Sequence, residues 1–384
     1  MRTTPPGKAR ARKATPKQIY KLVYDGKEVT KPQLTDALGM SPTAVSSAIN
    51  ELAAEGLIVT NRKADSIGGR PAMVYEIDPT FRYIVGVDIR RNYFYVFVSD
   101  LYANIHANTI SKAPSTDPRT YLASVCDAIY GLLSSSSIGI SDVLAIGIAV
   151  SGVTDFDNSI VDRSNEMDWT DVPVAKIVYR ALKIRAFIET DVRVYARNMI
   201  DPSDPQNVSA ALFVGTGIGL ALVSENRIFR GYTNRAGDNR FFGPDIKRLA
   251  EIVRSDELIK EINSLPYYAE NIQHNTIEDL NDKFAIHLAG HDGRRELFEE
   301  FTTEIARLMI AMACLVNPKS ILLTGNVFDY NDIIFENVRS KINACEYQYF
   351  TPDVYSSRRI PHALERGIVS TVMEKFFELD DFKI

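Results

Sequence analysis

The chain has 384 residues, 45% of them apolar and 24% charged, with a formal net charge of −5. That is long enough for two or three domains with cores of their own, and ordinary enough to set aside disordered and fibrous classes. No apolar run reaches the roughly 18 residues of a membrane span, and the basic N-terminus has no apolar run behind it to make a secretory signal. Cys126, Cys314 and Cys345 are far apart and lack CxxC spacing, which argues against a disulfide framework and a thiolate zinc site. The expected compartment is the cytoplasm. Residues 1–79 hold 12 Lys/Arg against 8 Asp/Glu, leaving 32 against 41 for the remainder. A basic head on an acidic body suits a nucleic-acid-binding head on a body with another task.

Residues 1–15 are basic, with little to bury, and are expected to be a disordered tail that adds phosphate contacts or merely solubilises. A first helix fits 16–24, with Ile19, Leu22 and Val23 inward. Leu34, Ala37 and Leu38 keep helical spacing until Gly39 breaks the run. Ser41 then suits an N-cap, Pro42 the first helical position, and Val45, Ile49 and Leu52 continue at the 3–4 interval. Helix, short Gly turn and second helix make a helix-turn-helix. The second helix would turn Thr43, Ala44, Ser46, Ser47 and Asn50 outward, small or hydrogen-bonding side chains that can approach base edges. Leu57–Val59 and Met73–Tyr75 read as two strands around a basic loop with Arg62, Lys63, Gly69, Arg70 and Pro71. That completes a winged helix over 16–79, whose loop suits a DNA backbone or minor groove. A small protein-docking module is the other reading.

From Phe81 the pattern changes. YIVGVDI and YFYVFVSDL read as paired strands turning at Arg90-Arg91-Asn92. A third strand is expected at 104–110 and a helix at 118–133. VLAIGIAVSGVTD reads as a buried strand running into a Gly turn. A helix near 172–182, the strand AFIETD and the helix VRVYARNM follow. The second half repeats the scheme: strands around GTGIG, helices at 244–263 and 294–316, the strand SILLTGNVFD, and helices at 331–343 and 363–378. Two successive α/β units suggest two lobes with a cleft between them, about 80–200 with the C-terminal helix and about 201–360.

With these segments on the page, the chain resembles the ROK family of repressors, open reading frames and sugar kinases, in its repressor branch. GIAVSGVTD, NEMDW, FIETD, GTGIG and LTGNV look like family segments around the sugar and the nucleotide. The resemblance implies a winged helix-turn-helix followed by a two-lobed, actin-like and hexokinase-like α/β body at 80–384. It places Asp191 where the family's catalytic acid stands. Gly152, Asn165, Glu189, Thr190 and Asp238 become sugar-side candidates, with Asn234 and Arg235 nearby if the sugar is phosphorylated. The family's first phosphate loop, Asp-x-Gly-Gly-Thr, is here Asp88-Ile89-Arg90-Arg91-Asn92. Phosphate needs backbone amides clear of side chains, so two arginines obstruct it. The family histidine is Phe241, and no cysteine lies between 127 and 313 to build its zinc cluster. No metal or cofactor is expected, and His274, His287 and His291 are expected at the surface or in loops. The expected function is a sugar-responsive regulator. It would act as a homodimer or homotetramer on double-stranded operator DNA, released by a sugar or sugar phosphate, with Asp191 a vestigial base. The alternative is a working sugar kinase with a DNA-binding head.

Overall fold

The computed structural model describes residues 16–63, 72–215, 217–238, 249, 251–253, 259, 262, 281–286, 292–345 and 352–379. The chain divides into two units, Met1–Arg82 with Phe376–Ile384, and Tyr83–Lys375.

In the first unit, α1 (Pro16–Gly26), α2 (Lys31–Leu38) and α3 (Pro42–Ala54) bury Ile19, Tyr20, Val23, Leu34, Val45, Ala48, Ile49 and Leu52. Gly39 ends α2 at φ 61°, a left-handed position that glycine adopts without steric cost. Strands β1 (Val29–Thr30), β2 (Ile58–Lys63) and β3 (Met73–Ile77) form one antiparallel sheet in the order β1-β3-β2. The sequence reading kept the whole C-terminal helix with the body. Its last residues belong instead to this unit. Phe376 packs edge-on against Tyr20 at 6.1 Å, Phe377 lies 5.6 Å from Tyr24, and Lys17 donates to the Leu379 carbonyl.

The second unit holds two five-stranded sheets. The first runs β11-β7-β4-β5-β6, from β4 (Tyr83–Ile89), β5 (Tyr93–Ser99), β6 (Ile105–Lys112), β7 (Val143–Val150) and β11 (Ala186–Thr190). β4, β5 and β6 are antiparallel, while β7 and β11 run parallel to β4. Helices α4 (Pro118–Ser135) and α5 (Val174–Leu182) share its core, which includes Val85, Val87, Ile146, Ile148, Leu122, Ile129 and Val178. A small antiparallel sheet, β8 (Val153–Asp155), β9 (Ile160–Ser164) and β10 (Trp169–Val172), follows β7. The sequence reading had only a Gly turn there.

The second sheet runs β14-β13-β12-β15-β16. Its strands are β12 (Val208–Val214), β13 (Ile218–Ser224), β14 (Arg227–Ile228), β15 (Ser320–Thr324) and β16 (Asp353–Ser356). It repeats the first scheme, three antiparallel strands and then parallel neighbours. Helices α7 (Asp292–Val316), α8 (Asn326–Asp329), α9 (Asp332–Asn343) and α10 (Ala363–Glu378) complete the chain with α6 (Asp191–Ala196). The helix expected at 244–263 lies mostly outside the described residues. Short as it is, α6 lies against both sheets' neighbours. A Cβ on Gly219 of β13 would sit 3.0 Å from Val192, Tyr195 stacks on Phe213 of β12 at 5.9 Å, and a Cβ on Gly367 of α10 would come within 2.0 Å of the Val194 carbonyl oxygen.

Candidate functional site

The first candidate surface is α3. Ser41 caps it, its Oγ accepting from the Ala44 N–H at 3.3 Å. Ser46 turns its hydroxyl back to donate to the Pro42 carbonyl at 2.9 Å. Thr43, Ser47 and Asn50 are exposed and Ala44 is half-buried. Of the outward set, these are the side chains open to a partner, while Ser41 and Ser46 support the helix. Arg62 and Lys63 lie on β2, where its register with β3 shifts between Thr60 and Lys63. Gly69, Arg70 and Pro71 lie outside the described residues.

The second candidate site gathers where β4, β11 and α6 end and begin. Parallel pairing of β4, β7 and β11 brings Asp88 and Glu189 to flank Ala149, and Thr190 leads straight into α6. Asp191 is therefore the first residue of a helix, and its Oδ1 accepts from the Val192 N–H at 2.8 Å. Its other oxygen, Oδ2, accepts from Arg90 Nη1 at 3.1 Å. Arg90 Nε donates to Asp88 Oδ2 at 2.7 Å, and its guanidinium lies 5.3 Å from the Phe213 ring. Arg90 is thus a buried cation shared by two buried carboxylates. Burial pushes the Asp191 carboxyl up to about 6, a rise that the Arg90 guanidinium only partly offsets and the Glu166 charge adds to.

Arg91 takes the opposite direction. It is exposed, and its Nη1 donates to Asp168 Oδ2 at 3.0 Å and to the Glu166 carbonyl. Its backbone N–H reaches Glu166 Oε1 at 3.3 Å. The two arginines of this turn thus engage Asp191 and the 165–168 loop respectively. Asn165, at the head of that loop, is exposed and accepts from Arg163 Nε at 3.2 Å.

Glu189 needs a correction. The sequence reading offered it to a sugar, but it is fully buried and ringed by guanidiniums. Arg230 Nη2 reaches Oε2 at 2.7 Å, Arg197 Nη2 reaches it at 3.5 Å, and Arg193 Nη1 lies 3.6 Å from Oε1. The Thr190 N–H donates to Oε1 at 3.0 Å. Burial alone would raise this carboxyl, but Arg230, Arg193 and Arg197 hold it below its ordinary range. Both oxygens are engaged by protein, so Glu189 is framework. Gly152 is likewise fixed by its neighbours. At φ 128° a Cβ there would lie 2.3 Å from the Arg163 carbonyl oxygen of β9, so close strand approach requires the glycine.

Thr190 is nearly buried, and its hydroxyl meets no hydrogen-bond partner among the described residues. Asp238 is half-buried, its N–H donating to the Arg235 carbonyl at 3.0 Å. Arg235, offered to a phosphorylated sugar, instead meets Asp162 Oδ2 at 3.3 Å, and Asn234 accepts from Arg193. The sequence reading missed Arg193 and Arg197. They lie four residues apart, one helical turn, along the segment that follows Glu189. Thr154 and Phe156 also escaped notice. Phe156 is a buried ring with the Arg230 guanidinium at 3.4 Å and Lys375 Nζ at 3.8 Å, a cation–π arrangement that helps to hold the arginine cluster.

Among the described residues no group of three or more His, Cys, Asp or Glu is placed to hold a metal ion. Phe241, His274, His287 and His291 lie outside them. No helix of the described residues is long and apolar enough to cross a membrane.

Residues 84–239 match the ROK family and residues 12–59 a winged helix-turn-helix DNA-binding family. The chain is 21% identical over 381 residues to the xylose repressor of Bacillus spizizenii, covering 96% of this chain and 97% of that one. It is 19% identical over 341 residues to the DNA-binding transcriptional dual regulator NagC of Escherichia coli, covering 85% and 83%. Its fold is similar to the crystal structure of a ROK family transcriptional regulator, a homolog of the E. coli MLC protein, with TM-score 0.66 at 16% identity over 94% of this chain and 98% of that one. A ROK family glucokinase from Streptomyces griseus, solved with glucose and AMPPNP, gives 0.57 at 18% identity over 76% and 98%. A stretch that matches the ROK family thus follows one that matches a winged helix-turn-helix DNA-binding family.

Proposed function

We propose that this chain is a sugar-responsive DNA-binding repressor, released when a sugar or sugar phosphate occupies the site around Asp191, and that it is not a kinase. The observation that carries the reading is Arg90, placed between Asp88 and Asp191 in a chain that also carries a winged helix. A sugar kinase needs its carboxylate open to the proton of the reacting hydroxyl, and backbone amides open to phosphate. Here one oxygen of the acid already accepts from a guanidinium, on the loop where the family's kinases have glycine. Hydroxyl recognition is a lesser demand. Asp191, Thr190, Asn165 and Asp238 offer acceptors and donors that a polyol can pair with, and a site built this way rejects analogues that lack the matching hydroxyl.

The names of relatives, a xylose repressor and, at 19% identity, an N-acetylglucosamine repressor of Escherichia coli O157:H7, support the same reading and make xylose and N-acetylglucosamine the first sugars to try. On the DNA side, Thr43, Ser47 and Asn50 would read base edges, with Arg62, Lys63 and Arg70 on phosphate. A homodimer or homotetramer would place two such heads on a palindromic operator. Since that operator is chromosomal, the chain would work in the cytoplasm. The sugar can shift DNA affinity only by binding one state better than the other.

The test is an electrophoretic shift assay on the chain's own upstream DNA, with and without each sugar. The expected result is retardation at low salt that the effector relieves. No retardation at low salt overturns the reading. A coupled ADP-release assay over hexoses, pentoses and amino sugars tests the second half of the proposal, and turnover that Asp191→Asn abolishes would make the chain a kinase.

A further inference from the structure

Arg193 stands one half-turn past Asp191 on α6 and is 4% exposed. A buried guanidinium costs several kcal/mol of lost hydration unless its donors are met. Glu189 answers its charge at 3.6 Å. Its other bonds all go to one loop: Nη1 to Asn234 Oδ1 at 3.2 Å, and Nη2 to the Asn234 carbonyl at 2.9 Å and the Ala236 carbonyl at 3.0 Å. A cation kept only to balance Glu189 would have no need of those carbonyls, because Arg197 and Arg230 already face the same carboxylate.

The loop continues without slack. Gly237 sits at φ 87°, where a Cβ would lie 2.0 Å from the Leu220 carbonyl oxygen. Asp238 follows it directly. The far side of the loop is fixed by Asn234 Nδ2 donating to the Thr154 carbonyl at 3.3 Å. Asp191 therefore opens the helix that carries Arg193, and Asp238 stands two residues past the Ala236 carbonyl that Arg193 holds.

We infer that Arg193 is a positioning residue that sets Asp238 against Asp191 and thereby selects which pattern of sugar hydroxyls the site accepts. The inference rests on the sugar-binding reading above. The planar fork of arginine can serve two carbonyls and an amide oxygen together, whereas a lysine ammonium on a flexible stem serves fewer and with less fixed direction.

The test uses the full chain and three variants, Arg193→Lys, Arg193→Gln and Asn234→Ala, with Asp191→Asn as the reference. Binding of D-xylose, D-glucose and N-acetyl-D-glucosamine is measured by calorimetry, and amide hydrogen exchange is followed across 231–238. Arg193→Gln is expected to weaken the best-bound sugar by about ten-fold, about 1.4 kcal/mol, to flatten the ranking of the three, and to speed exchange in the loop. Arg193→Lys should recover part of each loss. Asn234→Ala keeps the Arg193–Glu189 pair and should shift the ranking by a smaller factor. Should Arg193→Gln fail to fold, the other two variants decide. Parental affinity, ranking and exchange in both Arg193→Lys and Asn234→Ala overturn the inference. If Asp191→Asn still abolishes binding in that case, the sugar reading stands and only this inference falls. A parent that binds none of the three sugars overturns both.

Discussion

Glu189 and Asp191 lie two residues apart, one at the end of β11 and one at the start of α6, and both are buried. Their surroundings drive them in opposite directions. Glu189 faces Arg193, Arg197 and Arg230 and is held below its ordinary range. Asp191 faces Arg90, a guanidinium it shares with Asp88, and burial pushes it up to about 6. Depth alone does not decide the state of a carboxyl. The number of counter-charges, and how many other anions draw on them, does. A carboxylate already surrounded by cations has nothing to gain from a ligand. One that is only partly compensated gains from every hydroxyl brought to it. On that ground we assign Asp191 to the proposed sugar site and Glu189 to the scaffold.

The hardest blow to this contrast is Glu189→Gln. The change leaves Arg193, Arg197 and Arg230 around a neutral amide, with Glu374 still beside Arg197 and Arg230, and removing one side of a buried ionic group costs about 3–5 kcal/mol. Urea denaturation at pH 7 measures it. A variant within about 1 kcal/mol of the parent would mean that Glu189 is not the charge that holds the three arginines.

The second prediction is a pH dependence with two signs. Asp191 has a folded value above its ordinary 3.8, so its stabilising contribution is complete below that value and is lost as the pH rises through about 6. The span corresponds to about 2–3 kcal/mol, at 1.36 kcal/mol for each unit. Glu189 has a folded value below its ordinary 4.5, so its contribution is present above that value and is lost as the pH falls through the folded one. Between pH 7 and pH 5 stability should therefore increase as Asp191 takes up its proton, with Glu189 still ionised. In Asp191→Asn that increase should vanish. A stability profile that is the same with and without the Asp191 carboxyl would place its titration elsewhere.

The sequence carried much of this and lost the rest for definable reasons. The helices found at Pro16–Gly26, Asp292–Val316, Asp332–Asn343 and Ala363–Glu378 were legible because apolar residues recur at helical spacing over several turns. The two hairpins opening the sheets were legible from runs of β-branched and aromatic residues. The small β8–β10 sheet was not, because its strands are three to five residues long and carry turn formers such as Asp155, Asp162 and Asp171. The return of Phe376 and Phe377 to Tyr20 and Tyr24 left no local signal, since periodicity names a buried face but not what covers it. At the site, Asp191 was singled out by its likeness to the family's acid, while the burial of Glu189 among arginines left no local signal. Arg90 and Arg91 read as obstructions of equal kind, yet one turns inward to Asp191 and the other outward to Asp168. Their partners separate them, Asp88, Asp191 and the Phe213 ring for Arg90 and Asp168 for Arg91, with the Tyr121 hydroxyl donating to the Arg90 carbonyl at 2.7 Å.

Asp191→Asn gives a smaller stability effect than Glu189→Gln and a larger functional one. Asparagine keeps the shape of the side chain and an oxygen for the Val192 N–H. It removes a charge that burial disfavours, while Arg90 retains Asp88. Stability at pH 7 should not fall and should rise by up to about 2–3 kcal/mol, the span of the titration, whereas sugar affinity should fall by about ten-fold or more, the loss expected when a charged hydrogen-bond acceptor is replaced by a neutral one. Denaturation and calorimetry on the same preparation measure the two. Equal losses in both would make Asp191 as structural as Glu189.

The smallest effect falls on Arg91. Its ion pair with Asp168 is exposed at both ends, 48% and 65%, and such pairs contribute about 0.2–1 kcal/mol. Arg91→Ala should therefore leave stability nearly unchanged and lose what little it has in high salt. Its bonds to Glu166 and Asp168 nevertheless hold the 165–168 loop against the turn that follows β4. Sugar affinity should fall by about two- to five-fold, less than 1 kcal/mol, while the affinity for DNA without sugar stays at the parental value. Arg90→Ala serves as the opposite control, because it strips the shared cation from two buried carboxylates and should cost several times more stability. If the two alanine variants prove equally stable, the inward and outward arginines do not differ, and the separation of scaffold from ligand site around Asp191 loses its basis.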